Sequence, residues 1–210
     1  MRRALPFALA ALAAGLPVAA QEAPTPPRAG AVGIGVFLNP AALIAFDEED
    51  FLVFPGLNNF LVPIRVGQRL TLEPEFGIIR YSSSVSGSFG TSSSEFSHMR
   101  VGVGVLASLG RRGGLVPYVG PRIGVTRFRT SSRYSGSTTE YKTSRDDWWV
   151  SGVVGGQYFF SPHFSIGGEA QVTRVSLGQE ENEPPSGSTS SDYSTTILGT
   201  NGLLVLRVFF

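Results

Sequence analysis

No cysteine occurs in the 210 residues, and only one of the 17 basic side chains, Lys142, is lysine. Zero cysteine excludes a disulfide scaffold, a thiolate metal site, a cysteine nucleophile and a lipid-modified N-terminal cysteine. Charge is scarce: Asp, Glu, Lys and Arg make up 16% of the chain, against roughly 25% in soluble domains. With 17 basic and 16 acidic side chains the net charge is +1, so there is no global basic patch and no support for nucleic-acid binding. Long apolar runs are missing after residue 30. No stretch there reaches the roughly 18 residues of a membrane helix, and few windows carry the stripe of a surface helix. What the chain has instead is 26 glycines and a hydrophobic fraction of 42% spread thinly. One domain is the natural expectation at this length.

The N-terminus reads as an export signal. Arg2 and Arg3 form a positive start, residues 4–17 are apolar, and Val18-Ala19-Ala20 offers the small residues a signal peptidase accepts. Residues 1–20 are therefore expected to be removed, 21–30 to form a Pro-rich linker, and 31–210 to fold as a single barrel domain. The apolar run is too short for a transmembrane anchor.

Beyond residue 30 the chain alternates. In LTLEPEFGIIRY, Leu70, Leu72, Pro74, Phe76 and Ile78 share one parity, and Thr71, Glu73, Glu75 and Gly77 the other. In MRVGVGVLASL, Met99, Val101, Val103 and Val105 oppose Arg100, Gly102 and Gly104. YVGPRIGVT and FSIGGEAQVTR divide likewise. These are strands with one apolar face and one face of Gly, Glu, Gln and Arg. Eight are expected, near 30–46, 53–66, 69–83, 94–109, 115–131, 146–160, 164–178 and 193–210. Short turns at Gly67-Gln68, Arg111-Arg112-Gly113-Gly114 and Ser161-Pro162-His163 alternate with long Ser/Thr-rich connections: SSSVSGSFGTSSSE, SSRYSGSTTEYKTS and GQEENEPPSGSTSSD. The first long connection, around Asp47-Glu48-Glu49-Asp50, is the least defined.

Two architectures compete. A soluble, secreted, ligand-binding eight-stranded barrel puts its apolar parity inside and gives no reason for every long loop to lie at one end. A transmembrane barrel puts it outside, with short periplasmic turns and long extracellular loops. The sparse, Gly-rich polar parity favours the membrane. So do the strand lengths, which exceed the 5–6 residues usual in globular sheets and suit a tilted wall that projects past the bilayer. The expected fold is all-β: an eight-stranded antiparallel up-and-down transmembrane barrel.

The last strand, LLVLRVFF, alternates and stops on Phe210. It resembles the assembly signal of Gram-negative outer-membrane barrels, and GGQYFFSPHFSIGGEAQVTRVS is similar to the sixth and seventh strands of the small OmpA/OmpX-like barrels. That resemblance implies an outer-membrane location with both termini periplasmic. It also implies insertion by the outer-membrane assembly machinery through Phe210, and a structural or surface role for a monomer whose loop partner is unspecified. No peptidoglycan-binding domain is expected after the barrel.

An eight-stranded barrel is only just wide enough for its own side chains. Inward parity holds Arg65, Arg100, Arg122 and Arg207 beside Glu73, Glu75 and Glu169. These charges are expected to pair across the lumen and plug it, against the reading of a gated or conducting path. A general porin is not expected. Relatives that act on lipid A raise a hydrolase as the rival, and His163-Phe164-Ser165 with Glu169 mimics a His-x-Ser spacing of the lipid A deacylase family. His163, however, falls in a periplasmic turn, and His98 has no visible acid partner, so no catalytic residue is assigned. Neither acidic cluster, Asp47–Asp50 nor Glu180-Glu181-Asn182-Glu183, has the spacing of a calcium loop. They read as solvated loop charge, and neither a metal nor a cofactor is called for. Arg80, Arg127, Arg129 and Arg174 lie outward just past the apolar band. There they either pair with lipopolysaccharide phosphates or snorkel without lipid specificity.

Overall fold

The computed structural model describes residues 25–38, 59–87, 90–134, 140–183 and 195–210. The expected signal segment, the start of the linker and the acidic connection at 47–50 lie outside the described residues. In chain order the strands are β1 (Gly33–Leu38), β2 (Phe60–Leu61), β3 (Ile64–Arg65), β4 (Leu70–Gly87), β5 (Gly90–Ser108), β6 (Leu115–Tyr134), β7 (Glu140–Ser161), β8 (Phe164–Ser176), β9 (Glu180–Glu183) and β10 (Thr196–Phe209).

Pairing is antiparallel throughout, in the order β2-β1-β10-β8-β7-β6-β5-β4-β3, and β2 also pairs with β4. The sheet therefore closes. β2 and β3 are two halves of one stave, separated at Pro63, which has no N–H for a ladder. Around that break Val62 N still donates to Pro74 O and Gly33 N to Pro63 O. With β2 and β3 counted together and β9 set beside the wall, the barrel has eight staves.

The faces are inverted relative to a soluble barrel. Ile78, Val101, Ile123, Val125, Val154 and Val172 are exposed on the outside, while Glu73, Glu75, Arg100, Arg122 and Arg207 are buried inside. Such a wall suits lipid outside. The inward face is not confined to Gly, Glu, Gln and Arg, as the alternation suggested. Phe37, Leu61, Leu203 and Val205 form one buried cluster, Leu106, Tyr118 and Val153 a second, and Val116, Phe159 and Phe209 a third. Segments such as DWWVSGVVGGQYFF are apolar on both parities, so alternation gives no sign of their inward aromatics.

The staves also run further than expected. β4 and β5 stay paired through the serine-rich stretch to Gly87↔Gly90, and β6 and β7 up to Arg133↔Glu140. Crossing a bilayer takes about 9–11 residues per strand, and these four have 18 to 22. They rise past the apolar band as a hydrogen-bonded fin. Glu180-Glu181-Asn182-Glu183, expected as solvated loop charge, forms β9 against β7. At the other end the turns are tight. Arg112 and Leu115 exchange backbone hydrogen bonds around Gly113-Gly114, with Gly113 at φ 61, a conformation that favours glycine.

Candidate functional site

Halfway down the lumen, β4, β6, β8 and β10 aim charged side chains at one another. Arg122 Nη2 donates to Glu73 Oε2 at 2.5 Å and to Glu169 Oε2 at 2.9 Å. Its Nε reaches Glu169 Oε1 at 3.0 Å and its Nη1 reaches Glu75 Oε2 at 3.3 Å. Arg207 donates to both oxygens of Glu73, at 2.6 and 3.0 Å, and to Gln157 Oε1 at 3.3 Å. From β5, Arg100 Nε donates to Glu75 Oε1 at 2.8 Å. Tyr118 and Gln171 donate to Glu169 at 3.0 and 2.5 Å. Three guanidinium groups thus meet three carboxylates, with zero net charge. Arg122, Glu73 and Glu169 side chains are completely excluded from solvent.

Small neighbours make this possible. A Cβ at Gly104 would stand 2.7 Å from Arg122 Nη1, so glycine there lets the arginine lie along the wall. Aromatic faces hold the cations from the other side: Arg100 lies 3.5 Å over the Trp149 ring, Arg122 4.7 Å over Phe37 and Arg207 5.4 Å over Tyr118. Of the seven inward charges singled out from sequence, six meet here. Arg65 is the correction: it is buried nearer the short turns, donates to Gln68 O at 2.6 Å, and makes no ion pair among the described residues. Tyr118, Gln157, Gln171 and Trp149 were not singled out. The signal that would have found them is that they share the parity of the charges.

Above the cluster, His98 stacks on Phe128 with ring centroids 4.5 Å apart, and Arg145 clamps Asp147 at 2.9 and 3.3 Å. Asp147 also accepts from Gly178 N at 2.9 Å, which fixes the kink between β8 and β9. Among the described residues neither histidine meets a serine and a carboxylate together. The His163 ring donates through Nδ1 to Phe209 O at 3.0 Å, while Glu169 is taken up by Arg122, Tyr118 and Gln171. Among the described residues no group of His, Asp and Glu is placed to hold a metal ion.

The four rim arginines all point outward. Arg127 is bidentate to Asp146, with Nε at 2.6 Å from Oδ1. Beyond the apolar band, that hydrogen bond holds the Asp146 carboxyl below the usual carboxylate range. Arg80 pairs with Glu95 at 3.3 Å. Arg129 and Arg174 make no ion pair among the described residues. At the turn end, Phe209 N donates to His163 O and Phe210 N to Val32 O, while Phe210 itself is 73% exposed.

Comparison with known proteins completes the site. Residues 7–201 match the family model of the outer membrane protein beta-barrel domain. A sequence comparison with curated proteins returns no match. Among solved structures, Ail, the attachment invasion locus protein of Yersinia pestis, aligns with TM-score 0.44 at 11% identity, over 86% of this chain and 98% of that one. CarO2 of Acinetobacter baumannii aligns with TM-score 0.41 at 10% identity, over 86% and 98%.

Proposed function

Because this chain belongs to the outer-membrane protein β-barrel domain family, we propose that it is a non-catalytic surface barrel whose lumen is closed by its own side chains. The observation that carries this is the charge cluster: Arg100, Arg122 and Arg207 interlocked with Glu73, Glu75 and Glu169 across a barrel of only eight staves. Opening a solute path requires separating several buried ion pairs at once, each costly to break. The test is conductance of the refolded protein in planar bilayers together with liposome swelling by small sugars. We expect neither porin-sized steps nor sugar entry, and either one overturns the closed lumen.

In this reading the short turns and both chain ends face the periplasm, and Phe210 is the residue grasped by the assembly machinery. The fin of β4 to β7 stands outside the cell as the surface that meets other molecules, and the barrel acts as a monomer. At the rim, Arg129 and Arg174 take lipopolysaccharide phosphates directly. Arg80 and Arg127 do so only by exchanging their carboxylate partners. Arg129→Gln with Arg174→Gln should release most of the lipopolysaccharide that copurifies with the wild type. Unchanged retention would reduce these arginines to unspecific snorkelling.

A further inference from the structure

Charge is sorted by height in this barrel. Among the described residues, Glu73, Glu75 and Glu169 are in the lumen cluster, and all other acidic side chains, on β5, β7 and β9, stand at the loop end. At the turn end the exposed charged side chains among the described residues are arginines. Arg28 lies in the segment leading to β1, Arg69 in the β3–β4 turn, and Arg111 and Arg112 in the β5–β6 turn, all four exposed. Among the described residues the other charged or titratable groups near them are the Phe210 carboxylate, the His163 ring, the Tyr158 phenol beside Gly114 and the buried Arg65.

These cations share their turns with apolar residues that belong in lipid. Val66 and Leu109 are exposed beside them, and Phe60, Phe160 and Phe210 continue the apolar rim. The turns are tight: Val66 N and Gly67 N both donate to Leu70 O, and Arg112 pairs with Leu115. Arg111 is drawn back onto its own turn, donating through Nε to Gly113 O at 2.5 Å. The arginines therefore stay at the depth where acyl chains give way to headgroups, their stems along apolar surface and their charge in water. They follow an arc from β1 to the β5–β6 turn, spaced along a rim rather than gathered in a groove. That arrangement fits separate phosphate groups better than one polymer strand, and a guanidinium fork matches phosphate oxygens.

We propose that this arc binds the phosphates of anionic phospholipids in the inner leaflet of the membrane. The proposal rests on the orientation given under Proposed function, with the short turns in the periplasm. The barrel is thereby held at both faces: lipopolysaccharide at the rim arginines, phospholipid at the turn arginines.

The test uses the full protein refolded in phosphatidylcholine vesicles containing spin-labelled phosphatidylglycerol or spin-labelled phosphatidylcholine, and reads the relative association of the two labels. The wild type should prefer phosphatidylglycerol about fivefold at low salt, and the preference should fade as salt screens it. Arg28→Gln with Arg69→Gln, Arg111→Gln and Arg112→Gln should lose most of the preference, whereas Arg129→Gln with Arg174→Gln should keep most of it. Heat-modifiable gel mobility verifies folding, and Arg69→Gln with Arg112→Gln serves if the fourfold variant does not fold. An undiminished preference in the turn variants overturns the proposal. So does wild-type binding to isolated peptidoglycan sacculi that the turn variants lose while no lipid preference exists. Orientation is read separately, from an epitope inserted after Gly87 and probed on intact cells. An epitope hidden there sinks the orientation, whatever the vesicles show.

Discussion

Glu73 holds two arginines at once, accepting from Arg122 and from both nitrogens that Arg207 turns toward it. Removing it leaves Arg207 with Gln157 alone and takes one of the three carboxylates of Arg122, so Glu73→Ala should lower the unfolding free energy in vesicles by about 3–5 kcal/mol, measured by urea titration. Arg127→Gln breaks a pair that is open to water and should leave the urea midpoint unchanged. The Asp146 carboxyl should titrate below the ordinary carboxylate range by NMR, with the Arg127 contact present at neutral pH and lost as pH falls through that depressed value. At Gly124 an added Cβ would lie 2.2 Å from Val101 O and 2.5 Å from the Trp149 ring. Gly124→Ala should therefore cost about 1–3 kcal/mol in the same titration. The charged members of the lumen cluster were legible in the sequence, because an Arg or Glu alternating with valines has one physical place to go. Their neutral partners share that parity, which places them on the inward face, but parity alone does not say which Tyr or Gln meets a carboxylate. Arg65 shows the complementary limit: parity gives a side chain's face and leaves its height open.

At the scale of the strands, the turns and the membrane-crossing stretches were legible, and the fin was not. Alternation exists only where one face is apolar and the other polar. Past the membrane both faces of β4 and β5 meet water, and SSSVSGSFGTSSSE reads as loop although its backbone remains in register to Gly87↔Gly90. Amide hydrogen exchange distinguishes the two descriptions: protection should continue through Ser84 and Ser93. β9 makes a second case, because its four residues Glu180–Glu183 have poor strand propensity and are held by β7. Lys142 stands opposite Glu183, Arg145 reaches Glu180 at 3.3 Å, and Asp147 secures the kink through Gly178 N. Asp147→Asn weakens the Arg145 clamp and that anchor together. Amides of Glu180–Glu183 should then exchange faster while those of β8 keep their protection.

For the whole molecule, inverted faces follow from sequence alone, since lipid tolerates apolar outward residues and excludes charge. Closure was expected from eight staves, and the structure achieves it by pairing β1 with β10 and by a stave broken at Pro63 that meets β1 on one side and β4 on the other. One ladder stands out for its continuity: β6 and β7 are joined from Leu115↔Tyr158 to Arg133↔Glu140 without a register shift. In mechanical terms these two staves are one stiff hairpin. Drawn out of a bilayer in a force spectrometer, β6 and β7 should leave together in a single rupture rather than stave by stave.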